Sequence, residues 1–352
     1  MSGLPRMAIG KELGDVSDAT LRFFKQIGVE HVGIPPRPST EPTRSRPLVP
    51  PAQTGPPGPQ PEPWDPSELR RVRERVARFG LTASAIALPV SGRILLGIPG
   101  RDADIERARR SIAAAGEAGF SVVTYGFTAL RASEGYGLVE GRGGTQYRAF
   151  DAARVAGLPP LAEVGTHTRE GMWERLAGFL AAVVPAAEAA SVRLAAHPND
   201  PPVPEFRGVA QPLSTFEDLK RLIAAADSPS NSVYVDTGVL TEMGEDAPAA
   251  IRWLGGRGRI GCVHFRNARV GEAYFRYTET FLDDGDCDMT ACVRALRDVG
   301  YVGMVEPDHT PGIRGDTLDT WIGWAYAIGQ IIALRHAVEG RVATRVTPQT
   351  DV

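Results

Sequence analysis

Two histidines and two aspartates lie at or just beyond the ends of four predicted strands: His197, Asp236, His264 and Asp308. A single histidine at a strand end is more often a hydrogen-bonding residue than a metal ligand. A single aspartate there is usually a helix cap or a turn residue. Their recurrence on consecutive strands favours a shared site instead. Two imidazoles and two carboxylates suit Mn²⁺, and also Mg²⁺, Co²⁺, Fe²⁺ or Zn²⁺. We therefore predict a divalent metal centre, with Mn²⁺ as the expected cation.

The strands that would carry these residues belong to a regular alternation of strands and helices. Strands are predicted over residues 7–9, 31–34, 82–88, 121–125, 192–196, 232–235, 259–265 and 302–306. Each is followed by a connection with helical character, which implies parallel strands joined by crossovers. No G-x-G-x-x-G motif follows a strand and there is no P-loop, so a closed (β/α)₈ TIM barrel is favoured over an open sheet. The C-terminal strand ends of such a barrel converge at one mouth.

Helical patterns separate these strands along most of the chain. Helices are predicted over residues 18–27, 104–118, 169–190, 215–226, 247–254, 289–299 and 318–338, with another beginning at 65–67. The segment 126–160, rich in glycine and arginine, is predicted to be irregular.

We predict one barrel domain over residues 1–352, with two departures from regular structure. Segment 35–66 is crowded with proline, which is excluded from helix interiors and central strands. We interpret it as an extended, partly mobile surface insertion after the second strand. An insertion of this length could also cover the site or pack on a neighbouring subunit. Residues 339–352 are predicted to form a C-terminal tail.

The bulk properties of the chain exclude several classes of protein. A formal net charge of -3 gives no reason to expect nucleic acid or an anionic membrane surface as a partner. No apolar run is long enough to span a membrane, and the N-terminal residues lack the pattern of a secretory signal. The cysteines, Cys262, Cys287 and Cys292, are few and odd in number. They predict reduced thiols in a cytoplasmic protein.

Four strings of residues carry a family resemblance: HPNDPP (197–202), VHFR (263–266), GDCDM (285–289) and PDH (307–309). At these motifs the sequence resembles the mannonate dehydratase family, over about residues 120–335. That family has a (β/α)₈ barrel of the xylose-isomerase-like type. Its members use a divalent metal to remove water from a sugar acid, giving a 2-keto-3-deoxy acid. The resemblance implies that His197, His264 and Asp308 are metal ligands.

The sequence departs from the family pattern at three places. Asp236 stands where the family has a cysteine ligand, and its oxygen should favour Mn²⁺ or Mg²⁺ over thiophilic metals. ALRA (129–132) replaces an Asp-Trp-Thr-Arg segment, and Trp321 and Trp324 occur where the family has glycine–tyrosine motifs. The enzyme could therefore dehydrate a different hydroxy acid, or could isomerise or epimerise a sugar. A third alternative is a barrel that binds a ligand without catalysis.

The implied reaction is dehydration of a mannonate-like sugar acid through an enediolate stabilised by the metal. It requires a base near the proton beside the carboxylate. The candidate acid–base residues are Glu306, His309 and Tyr125. For Glu306 the alternative is a strand-end salt bridge without a catalytic role.

Four further residues are candidates for holding the substrate: Arg266, Arg207, Asn199 and His167. Arginine can clamp a carboxylate with two parallel hydrogen bonds, although both arginines could instead pair with neighbouring acids. A loop histidine such as His167 is more often solvated. The expected partner is a small sugar acid or sugar, and analogy with related barrels suggests a homo-oligomer, a dimer or a tetramer.

Overall fold

The computed structural model describes residues 6–42, 47–317 and 319–340. In chain order the strands are β1 (Ala8–Glu12), β2 (His31–Ile34), β3 (Thr82–Ala87), β4 (Val122–Gly126), β5 (Tyr136–Glu140), β6 (Gln146–Asp151), β7 (Arg193–His197), β8 (Glu205–Phe206), β9 (Val209–Ala210), β10 (Asn231–Asp236), β11 (Ile260–His264), β12 (Asn267–Glu272), β13 (Arg276–Thr280) and β14 (Met304–Glu306). Eight of them close into a parallel barrel in the order β1-β14-β11-β10-β7-β4-β3-β2. The predicted (β/α)₈ barrel is confirmed, and all eight predicted strands are present.

The helices that cover the barrel are α1 (Asp18–Gln26), α2 (Pro66–Arg78), α3 (Gly92–Leu96), α4 (Arg101–Glu117), α5 (Arg169–Ala189), α6 (Phe216–Ala225), α7 (Thr237–Glu242), α8 (Ala247–Gly255), α9 (Met289–Asp298) and α10 (Trp321–Glu339). Side-chain caps define several of their starts. Ser17 caps α1, and Thr215 forms a capping box with Asp218 at the start of α6. The sequence patterns missed only the short helices α3 and α7. No helix of the described residues is long and apolar enough to cross a membrane.

A second sheet lies outside the barrel, and the prediction that residues 126–160 are irregular was wrong. Strands β5 and β6 join β12 and β13 in a four-stranded antiparallel sheet of order β12-β13-β6-β5. We call it the cap sheet. Its central pairing places Arg148 of β6 opposite Glu279 of β13. The pairing joins segments far apart in the chain, so no local pattern could reveal it.

Side-chain bonds to the backbone hold the proline-rich segment against the barrel. The buried Gln60 donates through Nε2 to the carbonyl of Pro89 at 2.7 Å and accepts from the Ser91 amide at 3.2 Å. Gln53 likewise donates to the carbonyl of Ala129 at 3.0 Å and accepts from the Arg131 amide at 2.8 Å. The described residues between 35 and 65 contain no helix or strand, and Pro66 is the first residue of α2. Most of the predicted tail, residues 341–352, lies outside the described residues.

Close packing fills the barrel below its mouth. The interior cluster is formed by Ala85, Ala195, Tyr234, Cys262 and Met304. A Cβ added to Gly10 would lie 1.9 Å from Cγ of Met304, so the neighbouring strand leaves no room for a larger residue there. The close-packed barrel interior therefore supports the residues at the mouth of the barrel.

Candidate active site

Three predicted metal ligands converge at the C-terminal ends of adjacent barrel strands. Nε2 of His197, at the end of β7, lies 3.0 Å from Nδ1 of His264, at the end of β11. Strand β10 runs between them, and Oδ2 of its last residue, Asp236, lies 3.5 Å from each of these nitrogens. We call these three residues the ligand cluster.

Hydrogen bonds to backbone groups orient the side chains of His197 and Asp236 so that their metal-binding atoms point into the ligand cluster. Nδ1 of His197 donates to the carbonyl of Pro198 at 2.7 Å, which leaves the lone pair on Nε2 directed at the cluster. Oδ1 of Asp236 accepts from the amide of Val239 at 2.7 Å, which leaves Oδ2 for the cluster. Two ring nitrogens and a carboxylate oxygen at this spacing fit a divalent cation.

The fourth predicted ligand, Asp308, lies beside the ligand cluster rather than within it. Its Oδ2 is 3.8 Å from Nδ1 of His264 and 3.3 Å from Nε2 of His309. A single carboxylate thus connects the ligand cluster to a histidine that lines the cavity above it.

The buried Arg266 neutralises the acids around the ligand cluster. Its Nε lies 3.0 Å from Oδ2 of Asp236, and its Nη1 lies 2.5 Å from Oε1 of Glu242. Burial raises the pKa of Asp236, but Arg266 and the two imidazoles outweigh burial and hold that pKa well below its usual range. Glu242 has fewer compensating partners, so burial raises its pKa well above the ordinary value.

Opposing charges also determine the state of His264. Burial lowers its pKa, whereas the carboxylates of Asp308 and Asp236 raise it, and the result is a pKa of about 9. In the absence of a cation this imidazole would hold a proton at neutral pH. A bound cation would take the place of that proton.

Two residues of the cap sheet contact the same ring nitrogen of His309, one as a hydrogen-bond donor and the other as an acceptor. Nη2 of Arg148 lies 2.7 Å from Nδ1 of His309, and Oε2 of Glu279 lies 2.9 Å from the same nitrogen. A guanidinium can only donate, so the first contact needs an unprotonated Nδ1 and the second needs a protonated one. Arg148 also pairs with Glu279 at 2.5 Å. The tautomer of His309 therefore determines which of these two contacts is a hydrogen bond.

A cavity of about 840 Å³ lies between the barrel mouth, the cap sheet and the proline-rich segment. Its charged lining is formed by Lys11, Glu12, Asp15, Arg131, Arg148, Arg266, Glu279, Asp308, His309 and Asp319. Nζ of Lys11 lies 4.1 Å above the ring of Trp324, which also lines the cavity. No carboxylate of the described residues lies within 4.0 Å of this ammonium. The cavity thus contains cations suited to an anionic substrate.

Comparison with known proteins agrees with this geometry. The family model described as D-mannonate dehydratase (UxuA) matches residues 150–344 of the chain. The chain belongs to the mannonate dehydratase family. A mannonate dehydratase from Thermotoga neapolitana is 30% identical over 312 residues, covering 76% of this chain and 86% of that protein. Mannonate dehydratase 2 from Halalkalibacterium halodurans is 29% identical over 279 residues, covering 72% of this chain and 81% of that protein.

Solved structures support the same assignment. The crystal structure of mannonate dehydratase from Streptococcus suis serotype 2 superposes with a TM-score of 0.80 at 26% identity, covering 99% of this chain and 98% of that one. An L-ribulose 3-epimerase shares the fold alone, with a TM-score of 0.59 at 19% identity over 97% of this chain and 100% of that one. The mannonate dehydratase family consists of hydro-lyases, so the chain is an enzyme of that class that dehydrates a sugar acid. Membership also implies a divalent metal, and the isomerase or epimerase alternative is not favoured.

Two candidates taken from strand ends face away from the cavity of this dehydratase. The Tyr125 ring packs against Phe179 of α5, with centroids 5.6 Å apart, in the layer between barrel and helices. Its hydroxyl is buried without a hydrogen-bond partner, and burial raises its pKa. The amide of the buried Asn199 donates to Oγ1 of Thr128 at 2.7 Å and accepts from the Leu213 amide at 2.7 Å. The structure therefore gives the Tyr125 ring a packing role and the Asn199 side chain a loop-bridging role. The catalytic role of Tyr125 and the substrate contact of Asn199 stay predictions.

Arg207 and His167 also serve structure and do not line the cavity. Arg207, in the turn between β8 and β9, pairs with Glu134 at 3.1 Å and donates to the carbonyl of Pro159 at 3.0 Å. Nε2 of His167 bonds the carbonyl of Val164 at 2.9 Å. Loop residues have no periodicity that would predict their direction, so the sequence could not exclude them.

Glu306 lies inside the barrel beneath the mouth and is fully buried. Its two carboxylate oxygens accept from the hydroxyl of Tyr234 and from the backbone amide of Glu12. Burial raises its pKa. With both oxygens engaged away from the cavity, Glu306 is better placed to position the strand ends than to take a proton from substrate. Its role as a catalytic base stays a prediction.

No motif in the sequence singled out the cap-sheet residues of the site. Arg148 and Glu279 come from strands that pair over more than a hundred residues of separation. Asp200, within the family string at 197–202, was not singled out, yet its carboxylate accepts from Tyr136 at 2.7 Å and from Arg131 at 2.9 Å. Polar and apolar residues alternate over 146–149, where the run ends at the consecutive apolar residues Ala149 and Phe150. The sequence therefore indicated part of strand β6 but not the pairing of this strand in the cap sheet.

Proposed function

We propose that this protein converts a mannonate-like aldonic acid to a 2-keto-3-deoxy acid in the cavity above the ligand cluster. The carrying observation is that the donor atoms of His197, Asp236 and His264 converge within 3.5 Å of one another beside His309. The relatives named mannonate dehydratase support the choice of substrate.

The proposed metal is Mn²⁺, held by His197, Asp236, His264 and Asp308. Two carboxylates in the set support a cation that prefers oxygen over sulfur. When bound, the cation would polarise the substrate carboxylate and stabilise the negative charge that develops beside it. The buried Arg266 keeps Asp236 ionised and therefore ready to act as a ligand.

His309 is the proposed acid–base residue. With Nδ1 protonated toward Glu279, its Nε2 carries a lone pair at the cavity and can take the proton from the carbon beside the carboxylate. The imidazolium that results lies between the carboxylates of Glu279 and Asp308, which stabilise it. The same proton then passes to the departing hydroxyl group, which leaves as water. The enol that remains rearranges to the keto acid.

Lys11 and Arg266 are the proposed anchors for the substrate. Nη2 of Arg266 is buried without a hydrogen-bond partner among the described residues and lies 3.5 Å from Oδ2 of Asp200, with which it forms an ion pair. Its N–H groups can therefore still donate to a substrate oxygen. The Lys11 ammonium supplies a second cation to the same cavity. The predicted substrate contact of Arg266 is thus part of this proposal, in addition to the pairing of Arg266 with Asp236.

The test is incubation of metal-loaded protein with mannonate and other aldonic acids, with detection of the 2-keto-3-deoxy product by a keto-acid assay. Product formation that requires Mn²⁺ supports the proposal. Interconversion of ketoses without loss of water, or full activity of metal-free protein, would contradict it. The cytoplasmic location and the homo-oligomeric state, dimer or tetramer, stay predictions.

A further inference from the structure

The thiols of Cys287 and Cys292 form a close pair at the start of helix α9. Their Sγ atoms lie 3.5 Å apart, and both residues are free cysteines. Asp288 caps the helix by accepting from the Ala291 amide at 2.8 Å, so one cysteine directly precedes the cap and the other is the fourth residue of the helix. Side chains at these two positions commonly pack together across a helix start. The helix cap therefore keeps the two sulfur atoms in contact, and the dehydration proposed above uses neither.

The two thiols of the pair differ in exposure and in acidity. Cys287 is partly exposed, whereas Cys292 is fully buried. A hydrogen bond from Cys292, helped by one from the Thr241 hydroxyl, lowers the pKa of Cys287 against the effect of burial. The hydrogen bond to Cys287 and burial both raise the pKa of Cys292. A reactive thiolate is therefore favoured at the more exposed member of the pair, with a protonated thiol beside it.

The third cysteine, Cys262, lies in the interior cluster of the barrel. Burial raises the pKa of its thiol well above the ordinary value. A buried thiol that keeps its proton reacts slowly with oxidants, because the thiolate is the nucleophile. Cys262 is therefore an internal reference against which the reactivity of the pair can be measured.

Two neighbours of Cys287 connect it to the active site. The side chain of Asn267 accepts from the Cys287 amide at 2.9 Å and donates to the Cys287 carbonyl at 3.1 Å. Asn267 directly follows Arg266 in the chain. On the other side, Thr241 directly precedes Glu242, which pairs with Nη1 of Arg266 at 2.5 Å. Both contacts of Cys287 therefore lead to the guanidinium that lies beside the ligand cluster.

Little free space surrounds the Asn267 side chain. Its Nδ2 also donates to the carbonyl of Leu282 at 2.9 Å. A Cβ added to Gly285 would lie 2.3 Å from its Oδ1, so the backbone packs directly on the amide group. In such close packing a side chain cannot move without displacing its neighbours. A shift of Cys287 would therefore be passed to Asn267 and to the adjoining Arg266.

We propose that Cys287 and Cys292 close to a reversible disulfide on exposure to hydrogen peroxide, and that this disulfide lowers the activity of the site by displacing Arg266. Closure brings the sulfurs from 3.5 Å to a bond length of about 2.05 Å and draws Cys287 away from its partners. Transient disulfides of this kind occur in cytoplasmic proteins, where they sense oxidants. The effect on activity rests on the proposed dehydration, whereas the disulfide itself does not.

One molecule of hydrogen peroxide balances the oxidation. The Cys287 thiolate attacks one oxygen, the O–O bond breaks, and a sulfenic acid forms at Cys287. The other oxygen leaves as hydroxide and takes up the proton that Cys287 lost on ionisation. The Cys292 sulfur then attacks the Cys287 sulfur, the S–O bond breaks, and the hydroxyl leaves with the Cys292 proton as a second water. The sulfur pair loses two electrons, which the peroxide gains.

Titration of the full-length, Mn²⁺-loaded protein with hydrogen peroxide tests the inference. Of the three cysteine thiols, two should be lost. Both belong to one tryptic peptide, residues 277–294, whose mass should fall by that of two hydrogen atoms. We expect kcat/KM to fall by roughly tenfold or more, the scale on which small displacements of a positioning group act, and dithiothreitol should restore it.

The possible outcomes separate the two parts of the inference. Retention of all thiols, or oxidation of Cys287 to a sulfinic acid without a disulfide, would overturn both parts. A disulfide that leaves kcat/KM unchanged would overturn the effect on Arg266. Failure of the reduced protein to dehydrate any aldonic acid would overturn the proposed function and the effect on activity, whereas a disulfide detected by mass would still stand.

Variants of the three cysteines distinguish the attacking thiol from the resolving one. Cys292→Ser should accumulate the sulfenic acid at Cys287, which dimedone traps as a stable adduct. Cys287→Ser should keep both of its thiols under the same treatment, because Cys292 is buried and protonated. Cys262→Ala is the matched control and should still form the disulfide. An equal loss of activity with peroxide in Cys287→Ser and in the unsubstituted protein would contradict the proposed control of the site.

Discussion

Nε2 of His197 lies 3.0 Å from Nδ1 of His264, although their strands are separated by β10. Asp236 ends that intervening strand, so its carboxylate faces both imidazoles at 3.5 Å. Two lone pairs at this distance repel unless a proton or a cation lies between them. The geometry therefore links the occupancy of this site to the charge of His264.

Replacing His197 with alanine should remove the bound divalent metal. The remaining ligands would leave an incomplete coordination sphere, and activity should fall with metal content. Metal per protein can be measured by elemental analysis after dialysis against a weak chelator. His167→Ala is the matched control, because that imidazole bonds the Val164 carbonyl and lies outside the ligand cluster. Retention of stoichiometric metal by His197→Ala would contradict the proposed ligand set.

The roles proposed for His309 and Glu306 differ in their kinetic consequences. Loss of a general base typically lowers kcat by about 10²–10⁴-fold, and we expect this of His309→Asn. Glu306→Gln should reduce kcat by less than about tenfold while lowering stability, because a buried acceptor is replaced by a donor. Steady-state kinetics and urea unfolding of both variants distinguish the cases. A larger loss of kcat in Glu306→Gln than in His309→Asn would return the catalytic role to Glu306.

The barrel and the convergence of the ligand cluster could be predicted because their signals are local. Each barrel strand is a short apolar segment, and each ligand follows such a segment directly. The closed barrel then brings those strand ends together without further information. Asp236 is an example, since its position at the end of β10 determined both its place at the mouth and its role as the cap of α7.

The remaining part of the site depends on pairings that no local pattern contains. Arg148 meets His309 only because β6 and β13 pair in the cap sheet. For Tyr125 the strand was predicted but the direction of the side chain was not. Successive residues of a strand point to opposite faces of the sheet. Only the packing of the Tyr125 ring against Phe179 shows that this side chain points to the helices.

Replacing Arg266 or Glu242 with the uncharged residue glutamine should lower the free energy of unfolding by different amounts. Arg266→Gln leaves the buried carboxylates of Asp236 and Glu242 without their cation, which should cost about 3–5 kcal/mol in free energy of unfolding. Glu242→Gln keeps an acceptor for Nη1 and removes a carboxyl whose burial already disfavours its charge, so we expect a cost below about 1.5 kcal/mol. Urea denaturation of metal-free protein measures both values. Equal costs would show that Glu242 is as necessary to this network as Arg266.

Glu30 connects the closing helix α10 to the base of the barrel. Its Oε2 accepts from Nη1 of the buried Arg335 at 2.7 Å and from the amide of Ile9 at 2.9 Å. Burial raises the pKa of Glu30, but these bonds and the nearby arginines outweigh burial, so its pKa is lower than normal. A lowered carboxyl pKa stabilises the folded protein above the pKa of the unfolded chain. That stabilisation is lost as the pH falls through the folded pKa.

Glu30→Gln should therefore destabilise the protein at pH 7 by about 1 kcal/mol, a value reduced for the partial exposure of the carboxylate. The difference from the unsubstituted protein should narrow below about pH 4, where the glutamate of the unfolded chain takes up a proton. Urea unfolding at several pH values measures this difference. Glu217→Gln, in an exposed pair with Lys220, is the control and should change stability by less than about 0.5 kcal/mol. A difference that stays constant with pH would mean that Glu30 acts through packing rather than through its charge.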